Sequence, residues 1–220
     1  LLSIARRRLV FEELLILQLG LLSIKSRGRV ENRLRLTRDD SEAFYKLLPF
    51  TPTGAQKRAV QEAMADMMGD TPMNRLVQGD VGSGKTAVAA ALCYCVIQNG
   101  MQAALMAPTE VLARQHEKNL SAMLAPAGIR TALLVGSMTP KQKRLTAGAL
   151  AVGEIQLMIG THALLTEGVA FQKLGLVVTD EQHRFGVAQR AALAQKGENP
   201  HLLVMSATPI PRTLALMIFG

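Results

Sequence analysis

Eight consecutive residues have the types and spacing to hold a phosphate chain: Gly79–Thr86, reading G-D-V-G-S-G-K-T. They match G-x-x-x-x-G-K-[ST], the Walker A loop, without a mismatch. Gly79, Gly82 and Gly84 lack a Cβ, so the backbone can take positive φ and come close to an anion. Successive N–H groups, those of Asp80, Val81 and Ser83 among them, then turn inward as a nest for phosphate oxygens. A helix starting at the loop adds the positive end of its dipole. Lys85 brings a point charge to the β and γ phosphates, and the Thr86 hydroxyl can hold Mg²⁺. The bland alternative is a glycine turn that happens to precede a lysine. Against it stand the apolar-centred run Asn74–Gln78 before the loop and the Ala-rich stretch Ala87–Gln98 after it, closed by Asn99-Gly100.

A second set is acidic: Asp180-Glu181-Gln182-His183, after the apolar run Leu174–Val178. A carboxylate at a strand end, in the same sheet as a phosphate loop, suits Mg²⁺ held through water. Glu181 is then placed to orient or deprotonate an attacking water. The alternative is an exposed acidic turn after a buried strand. Ser206-Ala207-Thr208 ends the next strand. Its hydroxyls could bond the Asp180-Glu181 loop and sense nucleotide state, or cap a final helix that has Pro209 just inside it. Gly160-Thr161-His162 also sits at a strand end, where small and polar groups could meet a phosphodiester backbone. Thr109 and Glu110 read as an ordinary cap with an acidic first turn. His116 and His201 read as surface residues without function. Cys93 and Cys95, two apart on a helix, point to different faces and read as small buried hydrophobes in a reducing compartment.

The elements that must position these groups alternate. Strands are expected at Asn74–Gln78, Gln102–Ala107, Arg130–Val135, Ile155–Ile159, Leu174–Val178 and His201–Met205. Helices are expected at Gly54–Met68 with Thr53 as N-cap, Ala87–Gln98, Thr109 to about Leu124, Thr139–Ala151, Val187–Lys196 and Pro209–Ile218. Short apolar strands between helices of ten or more residues mean an α/β parallel sheet covered on both faces. In such sheets chemistry gathers at the carboxyl ends of the strands. Ahead of this lies a different region, 1–48. Leu1–Leu22 reads as a connector helix with an apolar stripe at Val10, Leu14, Leu17, Leu21 and Ile24. Lys25–Arg38 reads as a basic linker, and Asp39–Leu48 as a short helix.

The formal net charge of +8 favours a polyanionic partner, nucleic acid or an acidic membrane surface. No signal peptide is evident, and Leu14–Leu22 is too short to span a bilayer. The chain opens mid-pattern without Met and ends on an apolar run, so a fragment of something larger is expected.

Read in order, Phe50 with Thr53–Gln56, Gly79–Thr86, Ala107–His116, Gly160–Leu164, Asp180–Val187 and Ser206–Thr213 resemble the first motor domain of superfamily-two DNA translocases. Within them the set is similar to the RecG-type branched-DNA helicases, with transcription-repair coupling factors as near relatives. Asp180–Arg190, with Arg184-Phe185-Gly186 and Gln189-Arg190, is the most specific part, and the resemblance covers about Pro49 to Gly220. It implies a RecA-like motor domain over 49–220 that uses ATP and Mg²⁺. In it Gln56 reads the adenine edge and Phe50 stacks on the ring. Lys85 and Thr86 hold phosphates and Mg²⁺, Asp180 holds Mg²⁺ through water, and Glu181 in a D-E-Q-H box is the base. His183, Ser206 and Thr208 would couple hydrolysis to DNA movement, while Thr109, Arg114, Gly160, Thr161 and His162 lie towards the DNA strand. The family also needs a second motor domain and a fork-splitting wedge as partners. A fragment without them is expected to bind nucleotide and hydrolyse it poorly. A bacterial cytoplasmic, nucleoid-associated setting is implied, with no membrane partner. The competing readings are a coupling-factor motor and a regulatory ATPase that moves along no DNA.

Overall fold

The computed structural model describes residues 31–180 and 196–207, with residues 6, 8, 10–13, 15, 16 and 19 of the leading segment. Two compact units divide the chain, Leu1–Glu31 with Ile210–Gly220, and Asn32–Pro209. In the first, the described leading residues are helical and exposed, Val10 of the expected stripe among them, and Arg8 Nε pairs with Glu12 Oε1 at 3.0 Å one turn on. Leu14, Leu17, Leu21 and Ile24 lie outside the described residues, as do 187–195 and the Pro209–Ile218 helix; Lys196 is in a turn.

The second unit is built on six parallel strands: β1 (Asn74–Gln78), β2 (Gln102–Met106), β3 (Thr131–Leu134), β4 (Leu157–Gly160), β5 (Leu174–Asp180) and β6 (His201–Ser206). Their order is β1-β6-β5-β2-β4-β3. Its helices are α1 (Ser41–Tyr45), α2 (Gly54–Met67), α3 (Lys85–Gln98), α4 (Glu110–Leu124) and α5 (Pro140–Ala151). The expected parallel α/β sheet is therefore present.

Period-two alternation divides the core. Ala103, Leu105, Leu157, Ile159, Leu176, Val178, Leu203 and Met205 point to the face covered by α2, α3 and α4. Ala104, Met106, Met158 and Val177 point to the other face, with Leu150 of α5 and Leu164 of the short turn His162–Leu165. In α3, ten consecutive residues from Ala87 to Val96 are buried, as a helix apolar on every side must be. Cys93 and Cys95 are among them, and burial pushes both thiols up to about 12, so they are packing groups.

Two residues assigned by pattern to a linker, Leu34 and Leu36, are structural: with Phe44 of the short helix they join the core of the sheet's helical face. The strap before α1 is hydrogen-bonded to the C-terminal end of α2 and the turn after it, Leu36 N to Met67 O at 3.1 Å and Asn32 N to Asp70 O at 3.0 Å.

Candidate nucleotide site at the strand ends

Parallel pairing sets one rim. Gln78 is opposite Ser206, Met205 opposite Asp180, Thr179 opposite Met106, and Met106 opposite Gly160, itself opposite Leu134. The strands thus end within two residues of one another, and each chemistry-bearing turn leaves from that rim. β6 alone separates β1 from β5. Two strand spacings, about 9.5 Å, therefore lie between the end of β1 and that of β5.

The phosphate loop curls across this gap. Gly82 and Gly84 take φ of 84° and 83°, the left-handed region that favours glycine. Gly79, expected to do the same, does not. It lies close to Ser83 instead: a Cβ there would be 2.7 Å from Ser83 Oγ, so that hydroxyl would have to turn away. Gly79 N donates to Ser206 O at 3.2 Å, tying the loop to β6. α3 starts at Lys85, two residues earlier than its Ala-rich run suggests. Lys85 Nζ donates to Gly79 O at 2.6 Å and Asp80 O at 2.9 Å, so its ammonium sits inside the loop on neutral acceptors.

Gln56 braces the loop from α2. Its Oε1 accepts from Thr53 N at 2.9 Å, closing a capping box with Thr53. Its Nε2 donates to Ser83 O at 3.0 Å. Phe50, 45% exposed, lines a neighbouring cleft of 300 Å³ with Tyr45, Pro52 and Lys57.

Lys85 and Thr86 line a cleft of 430 Å³ together with Gly82, Gly84, Asp180 and Ala207. The cradle and the acidic strand end meet in one cavity. The far wall is α4, through Leu112, Gln115, His116 and Asn119. Those four follow the i, i+3, i+4, i+7 spacing of one helix face, the sequence signal that could have found them. His116 is 8% exposed and lies 2.5 Å from Asp180 Oδ2 through Nε2. It is not the surface residue that its isolation in the sequence suggests. His201 is also no surface residue. It is fully buried, accepts from Met73 N at Nδ1 (2.9 Å) and reaches Leu34 O from Nε2 (3.1 Å).

These residues suit a magnesium-bound nucleotide. The Thr86 hydroxyl and Asp180 carboxylate are hard oxygen donors of the kind Mg²⁺ takes, and the positive-φ glycines leave the loop open to an anion. Glu181, His183 and Thr208 lie outside the described residues.

The remaining candidates spread along the same rim. Thr109 caps α4 by accepting from Leu112 N at 3.3 Å. Glu110 goes beyond a plain first-turn acid, because it accepts from Ser137 N at 3.0 Å and Ser137 Oγ at 2.6 Å. Those bonds hold its carboxyl below the usual range. Arg114 is exposed and donates to Ser137 Oγ at 3.3 Å. Gly160 ends β4 rather than following it, and Thr161 is buried, which leaves the His162 side chain in solvent. Ser206 is buried at the end of β6.

The chain is 48% identical to the ATP-dependent DNA helicase RecG of Bacillus subtilis (strain 168), over all of this chain and 33% of that protein. It is 48% identical to the helicase of the same name from Escherichia coli (strain K12), over 98% of this chain and 32% of that one. The chain thus spans about a third of the length of these relatives. Its fold is similar to a RecG structure bound to a three-way DNA junction, with TM-score 0.82 and 45% identity, covering 98% of this chain and 29% of that one. The UvsW helicase of bacteriophage T4 shares the fold at TM-score 0.59 and 16% identity, covering 87% of this chain and 68% of that one. Residues 53–217 match the family model described as DEAD/DEAH box helicase. That span takes in every candidate site residue except Phe50, and the chain belongs to the DEAD/DEAH box helicase family.

Proposed function

We propose that this chain is the ATP-binding motor portion of a bacterial DNA helicase that remodels branched DNA in recombination and repair. The observation that carries the reading is the shared cleft of Lys85, Thr86 and Asp180. Its DNA-directed part is supported by the structural relative bound to a three-way junction. Among the described residues, no helix is long and apolar enough to cross a membrane.

In this reading Lys85 leaves the Gly79 and Asp80 carbonyls for the β and γ phosphates. The backbone N–H groups of 82–86 donate to the phosphate oxygens, and Gln56 turns its amide to the adenine edge beside Phe50. Thr86 and Asp180 would hold Mg²⁺, which when bound neutralises charge between the phosphates. Glu181, next in the chain, takes the proton of the attacking water. Lys85 is the one lysine or arginine lining the cleft among the described residues. The family's second motor domain supplies arginines to the charge of a transferring phosphoryl group, so in this reading the chain by itself turns ATP over slowly. Thr109, Arg114, Gly160, Thr161 and His162 mark the DNA side of the rim, and a second motor domain and a wedge complete the machine.

Binding of a labelled three-way junction across rising salt tests the reading. A motor that grips phosphates loses affinity steeply, by at least about tenfold between 50 and 200 mM salt. Salt-independent binding, or none at low salt, would leave a nucleotide-binding protein that acts on something else.

A further inference from the structure

The carboxylate assigned to magnesium has a partner that the nucleotide reading does not use. Asp180 Oδ2 and His116 Nε2 are 2.5 Å apart, and their side chains are only 17% and 10% exposed. An ionised carboxylate accepts and never donates, so Nε2 carries the hydrogen. The other ring nitrogen, Nδ1, is buried with no hydrogen-bond partner among the described residues. The bond to Asp180 is therefore what orients the ring. Both ends are fixed by backbone. Asp180 is held in the β5–β6 ladder opposite Met205. His116 is in the second turn of α4, whose start is pinned by the Thr109 cap and by Glu110 on Ser137. Among the described residues, His116 is the hydrogen-bond partner of the Asp180 carboxylate.

We propose that His116 is a positioning residue for the metal: by occupying Oδ2 of Asp180 it fixes the carboxylate's rotation and presents Oδ1 to the ion's water shell. This rests on the nucleotide reading of the cleft. A side chain that orients a metal-holding carboxylate in this way is worth about 10- to 100-fold in metal affinity. His116 also lines the cleft, so binding in EDTA separates direct contact with nucleotide from action through Asp180.

The test is equilibrium binding of a fluorescent, non-hydrolysable ATP analogue to the purified chain, first in EDTA and then as Mg²⁺ is raised. His116→Phe keeps ring volume and removes the donor. His116→Gln places an amide donor at a similar reach. The half-saturating Mg²⁺ rises about tenfold or more in H116F, with a far smaller loss in EDTA, and H116Q recovers most of it. In an Asp180→Ala background H116F adds nothing, because the two act as one unit. Melting curves without nucleotide establish that each variant is folded. A wild-type Mg²⁺ titration in H116F overturns the proposal. So does equal loss in EDTA and in Mg²⁺, the signature of mere packing, or a further loss in the Asp180→Ala background. If the unsubstituted chain binds the analogue without regard to Mg²⁺, the nucleotide reading itself falls.

Discussion

Lys85 spends its charge on two carbonyls of its own loop, at 2.6 and 2.9 Å. An arriving phosphate replaces neutral acceptors by charged ones, with the ammonium already in place. Hydrogen bonds to a charged group are worth about 1.5–3 kcal/mol each. Lys85→Ala is therefore expected to weaken ATP binding about 10- to 150-fold in calorimetry. Unchanged affinity would remove the lysine from the site. Gly84 tests the backbone. At φ 83° any other residue is strained, and a Cβ would fall 2.1 Å from Gln56 Nε2, pushing that amide off Ser83. Gly84→Ala should cost about 1–3 kcal/mol in urea unfolding and weaken nucleotide binding as well. These local features were legible because the residue types that make them are contiguous. His116 and His201 were not, since their partners lie 64 residues away at Asp180 and 128 at Met73.

Thr139 and Gln142 form a capping box at the start of α5, like Thr53 and Gln56 at the start of α2. Such starts are written in four adjacent residues, which is why the helix beginnings were read closely from sequence. Thr139→Ala is expected to cost about 1 kcal/mol in chemical denaturation. Strand limits depend on distant pairing and were read less closely. β4 was expected at Ile155–Ile159 and runs instead from Leu157 to Gly160, because Ile155 N still turns back to Ala149 O of α5. Gly160 reads as a turn residue, yet it serves close packing, since a Cβ there would sit 2.2 Å from Leu134 O. Gln102 gives no signal at all in the sequence, but it is buried and fully used. Its amide donates to Leu150 O at 2.9 Å and Ile155 O at 2.7 Å, and its oxygen accepts from Gln172 N at 2.7 Å and Lys173 N at 3.1 Å. Gln102→Leu strands those groups and should cost at least about 2 kcal/mol, read by urea unfolding. A neutral result would mean that water takes over the bonds.

Across the second unit, one strap touches the rear of the elements whose front ends build the cleft. Asn32 Nδ2 donates to Met67 O and Gly69 O behind α2, at 3.2 and 2.9 Å. Asn99, at the end of α3, accepts from Thr37 N at 2.9 Å and from Arg38 N at 3.3 Å. His201 joins Met73 N to Leu34 O. Burial holds the His201 pKa below its ordinary 6.5. Between that lowered value and 6.5 the unfolded chain takes up a proton that the folded chain refuses. Stability is therefore full above about pH 6.5 and falls as pH drops below it, by up to about 1.4 kcal/mol per unit. Urea midpoints in this window should fall more steeply for the unsubstituted chain than for His201→Gln, and equal slopes would contradict the assignment. The overall α/β plan, by contrast, was legible, because a phosphate loop, an acidic turn and four further strand ends can share a rim only in a parallel sheet. The shared rim is checked by diffraction from crystals of the chain grown with a non-hydrolysable ATP analogue and Mn²⁺, whose anomalous signal locates the ion. The expected result is phosphates inside Gly79–Thr86 and the ion beside Thr86 Oγ1, with Asp180 reaching it directly or through water. Phosphates outside the loop, or an ion out of reach of Asp180, would contradict it.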